Sequence, residues 1–140
     1  MTTRTAIEGD QGSVLRLLSQ LVERDVTADP AYARSFRRML NSDRGTVIVV
    51  EDGSDVLGVI SCSFNLAVRY DGGYAQVEEL VVDERARGKN AGATLVRAAI
   101  DEAKRRGCAE IGLYAREHNR PFYEKLGFVY AGPELRQPLV

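Results

Sequence analysis

The sequence predicts one mixed α/β domain spanning residues 1–140, a central, mostly antiparallel sheet flanked by helices. Three observations predict it. The 140 residues suffice for one buried core and are too few for two. Hydrophobic residues at 44% and charged residues at 28% match ordinary folded chains, which excludes a disordered or fibrous class. The apolar period also switches along the chain, giving the order β, two helices, three antiparallel strands, then βαβαβ.

Thr3 to Ile7 reads as a short edge strand. Gly9 and Asp10 then open a helix whose Val14, Leu17, Leu18, Leu21 and Val22 recur at helical spacing. Asp29 is a good N-cap with Pro30 at the first helical position, and Phe36, Met39 and Leu40 line a second helix ending near Asn41. The connector from Glu23 to Asp29 is expected to be mobile. From Thr46 the run TVIVVE is β-branched, and EDGSD supplies a turn into VLGVISCSFNLAV. Residues Arg69 to Gly73, with Asp71, Gly72 and Gly73, predict a second turn. YAQVEELVV then reads as a central strand ending at Asp83. Leu95, Val96, Ala99, Ile100 and Ala103 share one face of a helix over Ala91 to Arg106, stopped by Gly107. A strand over Glu110 to Tyr114, a short helix around Pro121 to Lys125 and a last strand over Gly127 to Tyr130 complete the body.

Lys plus Arg (19) nearly cancels Asp plus Glu (20), so no whole-molecule field points to nucleic acid or an anionic membrane. No apolar stretch approaches the roughly 20 residues that span a bilayer, and MTTRTAIEGD lacks a secretory apolar segment, so a cytoplasmic location is expected. Cys62 and Cys108 have neither CxxC spacing nor His neighbours and read as small core residues. The lone His118 reads as a surface residue, and no metal is expected.

The most informative stretch is Val82 to Ala93, which joins a β run to a helical one. The first turn of such a helix carries unpartnered N–H groups and partial positive charge, so it forms an anion cradle. Gly88, Ala91, Gly92 and Ala93 keep side-chain bulk away, while Arg85, Arg87 and Lys89 put cations around the rim. Neither GxxxxGK[ST] nor a Rossmann GxGxxG is present, so the expected phosphates belong to another carrier.

On these residues the chain resembles the Gcn5-related N-acetyltransferase family. That family's Val-x-x-x-x-Arg/Gln-x-x-Gly-x-Gly/Ala motif matches at Val82, Arg87 and Gly92, with Asn90 standing where the first Gly is usual. Asn tolerates left-handed backbone geometry. A Phe-Tyr pair followed by Gly-Phe appears as Phe122, Tyr123, Gly127 and Phe128. The resemblance implies acetyl-CoA bound in a cleft between splayed strands 4 and 5. It places the pyrophosphate on the amides of Arg87, Gly88, Lys89, Asn90, Ala91, Gly92 and Ala93, and pantetheine along Leu80, Val81 and Val82. Arg116 occupies the position of a common cofactor-binding Asn, with Asn119 the displaced candidate. The family's Tyr, here Tyr123, protonates the departing thiolate, a backbone N–H near Val81 or Val82 would hold the oxyanion, and the reaction implied is direct attack by an amine in a ternary complex.

A base has two candidates. Strict alternation puts Glu78 on the face of Leu80 and Val82, with Glu79 on the opposite face, and a bulge would exchange their roles. Amine deprotonation requires such a carboxylate with a raised pKa. Glu79-Leu80-Val81-Val82 and the Arg87-Gly88-x-Asn90-x-Gly92 loop resemble the small aminoalkylphosphonate N-acetyltransferases, but Ser63 to Tyr70 lacks their His-rich pattern. A VEELVV-like strand and a loop without the first Gly are also similar to glucosamine-6-phosphate acetyltransferases. Arg37, Arg38 and Arg69 either meet an acidic acceptor or are solvated. The implied partner is a small-molecule amine. A homodimer is also implied, since many relatives pair. A non-catalytic acyl-CoA-binding module and a protein or peptide acetyltransferase are the alternatives.

Overall fold

The β-branched runs at 47–50 and 56–60 lie on paired strands near the middle of the sheet. The computed structural model describes residues 1–140. Its elements are β1 (Thr2–Thr5), α1 (Gln11–Val22), α2 (Pro30–Asn41), β2 (Gly45–Asp52), β3 (Asp55–Ala67), β4 (Tyr70–Val82), α3 (Ala91–Arg105), β5 (Ile111–Leu113) and α4 (Arg120–Glu124), with single 3-10 turns before α1, α3 and α4. The strands lie in the order β1-β2-β3-β4-β5, antiparallel except for the parallel β4–β5 pair. The mixed, mostly antiparallel sheet flanked by helices is thus as the sequence predicts.

Alternation along β2 and β3, re-phased in β3 by a bulge at Leu57, divides the core into two layers. Ile48, Val50, Leu57, Ile60 and Cys62 meet α3 through Leu95, Val96 and Ala99. Val47, Val49, Val56, Val59 and Val81 meet α1 and α2 through Val14, Leu17 and Phe36. Burial pushes the Cys62 thiol up to about 12, so it is an inert core residue; Cys108 is half-buried and also free.

Asp10 does more than open α1. It is buried and takes two hydrogen bonds from the Arg4 guanidinium, at 2.8 and 3.0 Å, and one from the Ile7 N–H at 2.8 Å. These bonds hold its carboxyl below the usual carboxylate range and tie β1 to the start of α1. Asp29 caps α2 as expected, accepting from the Ala31 N–H at 2.9 Å.

Three local expectations are corrected. The α1–α2 connector is anchored rather than free: Val26 is wholly buried, and its N–H donates to the Ser19 hydroxyl at 3.0 Å. The β3–β4 turn is Val68-Arg69, and the glycine pair lies inside β4. Gly73 has φ +73°, and a Cβ there would run into the Asn65 carbonyl, so the pair serves close strand approach rather than the turn. Finally, Gly127 to Tyr130 is not a strand. The outer edge of β5 is unpaired, but the N–H groups of Gly127 and Phe128 instead close the end of α4, donating to Glu124 O and Tyr123 O at 3.1 and 3.2 Å. Val129 and Tyr130 are instead exposed, with Arg120 stacked 4.9 Å from the Tyr130 ring centroid.

Leu95 is fully buried where α3 crosses the sheet. Leu95→Ala is expected to lower the unfolding free energy by about 3 kcal/mol, through lost burial plus a cavity, read as a shift in urea midpoint with unchanged slope.

Candidate active site

The register of β4 changes in mid-strand. Ser61 pairs with Glu79 but Cys62 pairs with Val77, so Glu78 is an extra residue, a β-bulge. Side chains before and after it therefore fall in a new phase: Val77, Leu80 and Val82 all pack with the α3 layer, and Val81 packs with the α1–α2 layer. The strict alternation that would separate the two carboxylates fails for this reason. Glu78 and Glu79 lie on the same side of the sheet, where the Ser63 hydroxyl donates to Glu78 at 2.6 Å and the Ser61 hydroxyl donates to Glu79. Burial raises the pKa of Glu79, the Ser61 hydrogen bond lowers it and the Glu78 charge raises it, leaving a net upward shift.

The bulge also decides which backbone groups are free. Asp83 N–H donates to Leu57 O at 2.8 Å, so by antiparallel alternation Val81 and Glu79 also turn their peptide groups toward β3. The N–H and C=O of Leu80 and Val82 consequently point to the other edge. β5 pairs with β4 only from Ala75 to Val77 and ends at Leu113, so that edge is open beyond Val77. This is the splay between the fourth and fifth strands. A cavity of about 510 Å³ lies there, with Gln76, Glu78, Glu79, Tyr114 and Arg136 on its walls. A second cavity of about 600 Å³ lies under α1 and α2, and the two glutamates line it as well. Glu78 and Glu79 thus stand between two chambers.

Past the open edge comes the Val82–Ala93 loop. Gly88 has φ +79° and Asn90 has φ +59°, so the residue standing where Gly is usual adopts the left-handed geometry that position needs. The Asn90 side chain does not cap the helix; the Asn90 backbone carbonyl accepts from the Thr94 N–H and hydroxyl at 2.9 and 2.8 Å. The amides of Ala91, Gly92 and Ala93 precede that first helical bond and have no partner within α3. Ala91 and Ala93 are buried, which limits their size, whereas a Cβ on Gly92 would make only ordinary contact with the Phe122 ring, at 3.4 Å. Arg87 is exposed and 3.7 Å from Glu84, Arg85 pairs with Asp83 at 3.0 Å, and Lys89 is exposed.

Tyr123 on α4 packs on the α3 layer, edge-on to Phe122 at 5.0 Å and to Phe128 at 5.9 Å between ring centroids. Tyr123 is the more buried of the Phe-Tyr pair. Burial raises its pKa, so the phenol stays protonated at neutral pH, and its hydroxyl makes no hydrogen bond within the chain. Asn119 is exposed at the start of α4, and Arg116 and His118 are exposed beside it. Arg37 donates to Gln11 at 3.3 Å, Arg69 stacks on Tyr70, and neither they nor Arg38 line either cavity. Ser61 and Ser63 were missed by the sequence reading. The signal was their i, i+2 spacing, which places both hydroxyls on one face of β3.

A sheet splayed in mid-strand, with a helix N-terminus at the open end, defines a class, and comparison with known proteins agrees. The acetyltransferase (GNAT) family profile matches residues 15–128. The probable glucosamine 6-phosphate N-acetyltransferase 2 of rice (Oryza sativa subsp. japonica) is 33% identical over 137 residues, covering 93% of this chain and 81% of that one. The crystal structure of glucosamine-6-phosphate N-acetyltransferase from Arabidopsis thaliana superposes with a TM-score of 0.86 at 25% identity, over 99% of this chain and 98% of that one. A structure titled as a transcriptional regulator from Bacillus halodurans C-125 gives 0.88 at 29% identity over 99% of each chain. The chain belongs to the GNAT acetyltransferase family and is an acetyl-transferring enzyme. No helix in it is long and apolar enough to cross a membrane.

The upward shift at Glu79 has a consequence for stability. The folded state holds this proton more tightly than the unfolded chain, so stability is greatest below the ordinary carboxylate range and falls as pH rises through the raised value. Glu79→Gln is therefore expected to be more resistant to urea than the parent at pH 7, with the difference shrinking toward pH 4. Parallel urea titrations across that window check the sign.

Proposed function

We propose that this enzyme transfers the acetyl group of acetyl-CoA to the primary amine of a small molecule, by direct attack in a ternary complex. One observation carries the reading: the bulge at Glu78 leaves the Leu80 and Val82 peptide groups unpaired beside the α3 N-terminus and sets two carboxylates between two chambers. The glucosamine-phosphate acetyltransferase relatives support an amine acceptor.

Acetyl-CoA supplies an activated thioester. Its pantetheine amides fit the free edge at Leu80 and Val82 as an added strand, while Val81 contributes its side chain to the core. The Arg87 and Lys89 N–H groups already donate to Glu84 O and Ala86 O at 3.1 and 3.2 Å, so the amides expected there reduce to Gly88, Asn90, Ala91, Gly92 and Ala93, which face the pyrophosphate with the Arg87 and Lys89 cations at the rim and Asn119 as a further contact. Glu79 takes the ammonium proton, its raised pKa bringing it nearer to the pH at which a base is useful, and Glu78 holds the second position on the same face. The free amine forms a C–N bond to the acetyl carbon as the C–S bond breaks. The Val82 N–H, turned to the open edge, stabilises the carbonyl oxygen, the Tyr123 hydroxyl gives its proton to sulfur, and the extra proton on the newly acylated nitrogen restores the phenol. The products are the N-acetyl amine, CoA thiol and one proton returned to water.

Arg87→Ala is expected to weaken acetyl-CoA binding by about tenfold through a lost charge-assisted hydrogen bond, and Lys104→Ala, on the far part of α3, to leave it unchanged. Isothermal calorimetry reads the difference, and equal effects would place the phosphates elsewhere. In a CoA-thiol release assay, Tyr123→Phe and Glu79→Gln are each expected to lower kcat by on the order of 10²-fold, with acetyl-CoA affinity kept. Full turnover in Tyr123→Phe at every pH would remove the acid role.

A further inference from the structure

The cavity of about 600 Å³ under α1 and α2 has a composition that its relatives' names do not suggest. Its walls are apolar: Val14, Leu18, Phe36 and Met39 from the helices, Val47 and Val59 from the sheet. Its floor carries Glu78 and Glu79, each already holding a serine hydroxyl. No Lys, Arg or His lines it. Arg24, stacked 5.5 Å from the ring centroid of the lining residue Tyr32, is paired with Asp29 at 3.4 Å.

A phosphate placed in this chamber would lose its hydration next to two carboxylates with no cation to replace water, and sugar hydroxyls would face aliphatic walls. A primary ammonium on an apolar body meets the opposite conditions. Its cation answers the two carboxylates, its body covers the aliphatic walls, and the volume lies in the range of ordinary small-molecule pockets. We infer that the acceptor is an aliphatic or arylalkyl primary amine, bound with its ammonium at Glu78 and Glu79 and its apolar body between α1, α2 and the sheet, and not a phosphosugar. This rests on the acetyl-transfer reading only for the reaction; the cavity's preference is testable without turnover.

Two measurements separate the two. Calorimetry titrates 2-phenylethylamine, hexylamine and glucosamine 6-phosphate into the CoA-loaded protein, and thiol release with acetyl-CoA follows the same three amines. Binding of the apolar amines at least tenfold tighter than glucosamine 6-phosphate, with kcat/KM ranked the same way, is the expected result. Heat from the apolar amines without thiol release would uphold the cavity assignment and sink the transfer chemistry. Preference for glucosamine 6-phosphate, or no discrimination among the three, would overturn the assignment while leaving any observed transfer intact. Leu18→Lys is expected to raise KM for the apolar amines about tenfold and leave KM for acetyl-CoA unchanged. Ser35→Trp, which narrows the same cavity from the exposed side of α2, gives a second reading should the lysine unfold the chain. Unchanged amine KM in a folded variant of both kinds would place the acceptor outside this cavity.

Discussion

One extra residue in β4 sets the geometry of everything around it. Had β4 kept strict alternation through Glu78, one of its two adjacent carboxylates would face the α3 layer, among Ile60, Leu95 and Val96, where a charge has no partner and costs several kcal/mol. The bulge removes that conflict. It turns Glu78 and Glu79 together toward Ser63 and Ser61, and it re-phases the strand so that Leu80 and Val82 take over the apolar face that Val77 began. The same shift points the Leu80 and Val82 peptide groups outward, past the end of β5. Acid placement and the unpaired edge thus share one cause.

The edge stays open because β5 is held at one end only. The Ala75 N–H donates to Glu110 O at 2.9 Å, and the Ala109 N–H donates to Gly73 O at 2.8 Å, fastening the start of β5 to the glycine-rich part of β4. Nothing fastens it beyond Leu113. At the opposite end, α3 is seated by Ala91, Ala93, Leu95 and Val96, small residues first and large ones after, so its N-terminus lies close to the sheet at Val82. Helix dipole and free strand edge are brought together by packing, before any ligand contributes.

Much of this was readable from the chain. Apolar periodicity located α1, α2, α3 and the strands β2 to β4, because each buries one face and repeats its own period, whereas β1 and α4 have no buried residue and were placed by their neighbours in the chain. The left-handed tolerance of Asn90 was also readable, since few residues suit that backbone. What failed was whatever depends on a neighbour that sequence does not name. Gly127 to Tyr130 has strand alternation, but its first two N–H groups turn back to the carbonyls of α4. The glycines at 72 and 73 looked like a turn because their true reason, close passage of Asn65 and Gly107, is tertiary. The Glu78–Glu79 order turned on a bulge, and a bulge is a property of the pairing between two strands. Alternation on β4 alone had no access to it. Asp10 likewise reads as a helix opener until Arg4 is brought beside it.

An apolar chamber around a carboxylate is a stability cost, and on the proposed reading it is also the source of reactivity. In water an alkylammonium holds its proton far more tightly than a carboxylate, by about six pKa units, so transfer between them is strongly uphill. Burial raises the carboxyl's value and lowers the amine's, because each loses the hydration that stabilised its charged form. Moving the proton converts two ions into two neutral groups, the one product state that apolar walls at Val14, Phe36 and Met39 favour over the starting one. The upward shift at Glu79 is the half of that effect already present before an amine arrives. Ser61 tempers it, because its hydroxyl stabilises the anion and so opposes the upward shift from burial. On that reading the site balances two demands on one carboxylate: enough charge to bind a cation, and enough dryness to take its proton.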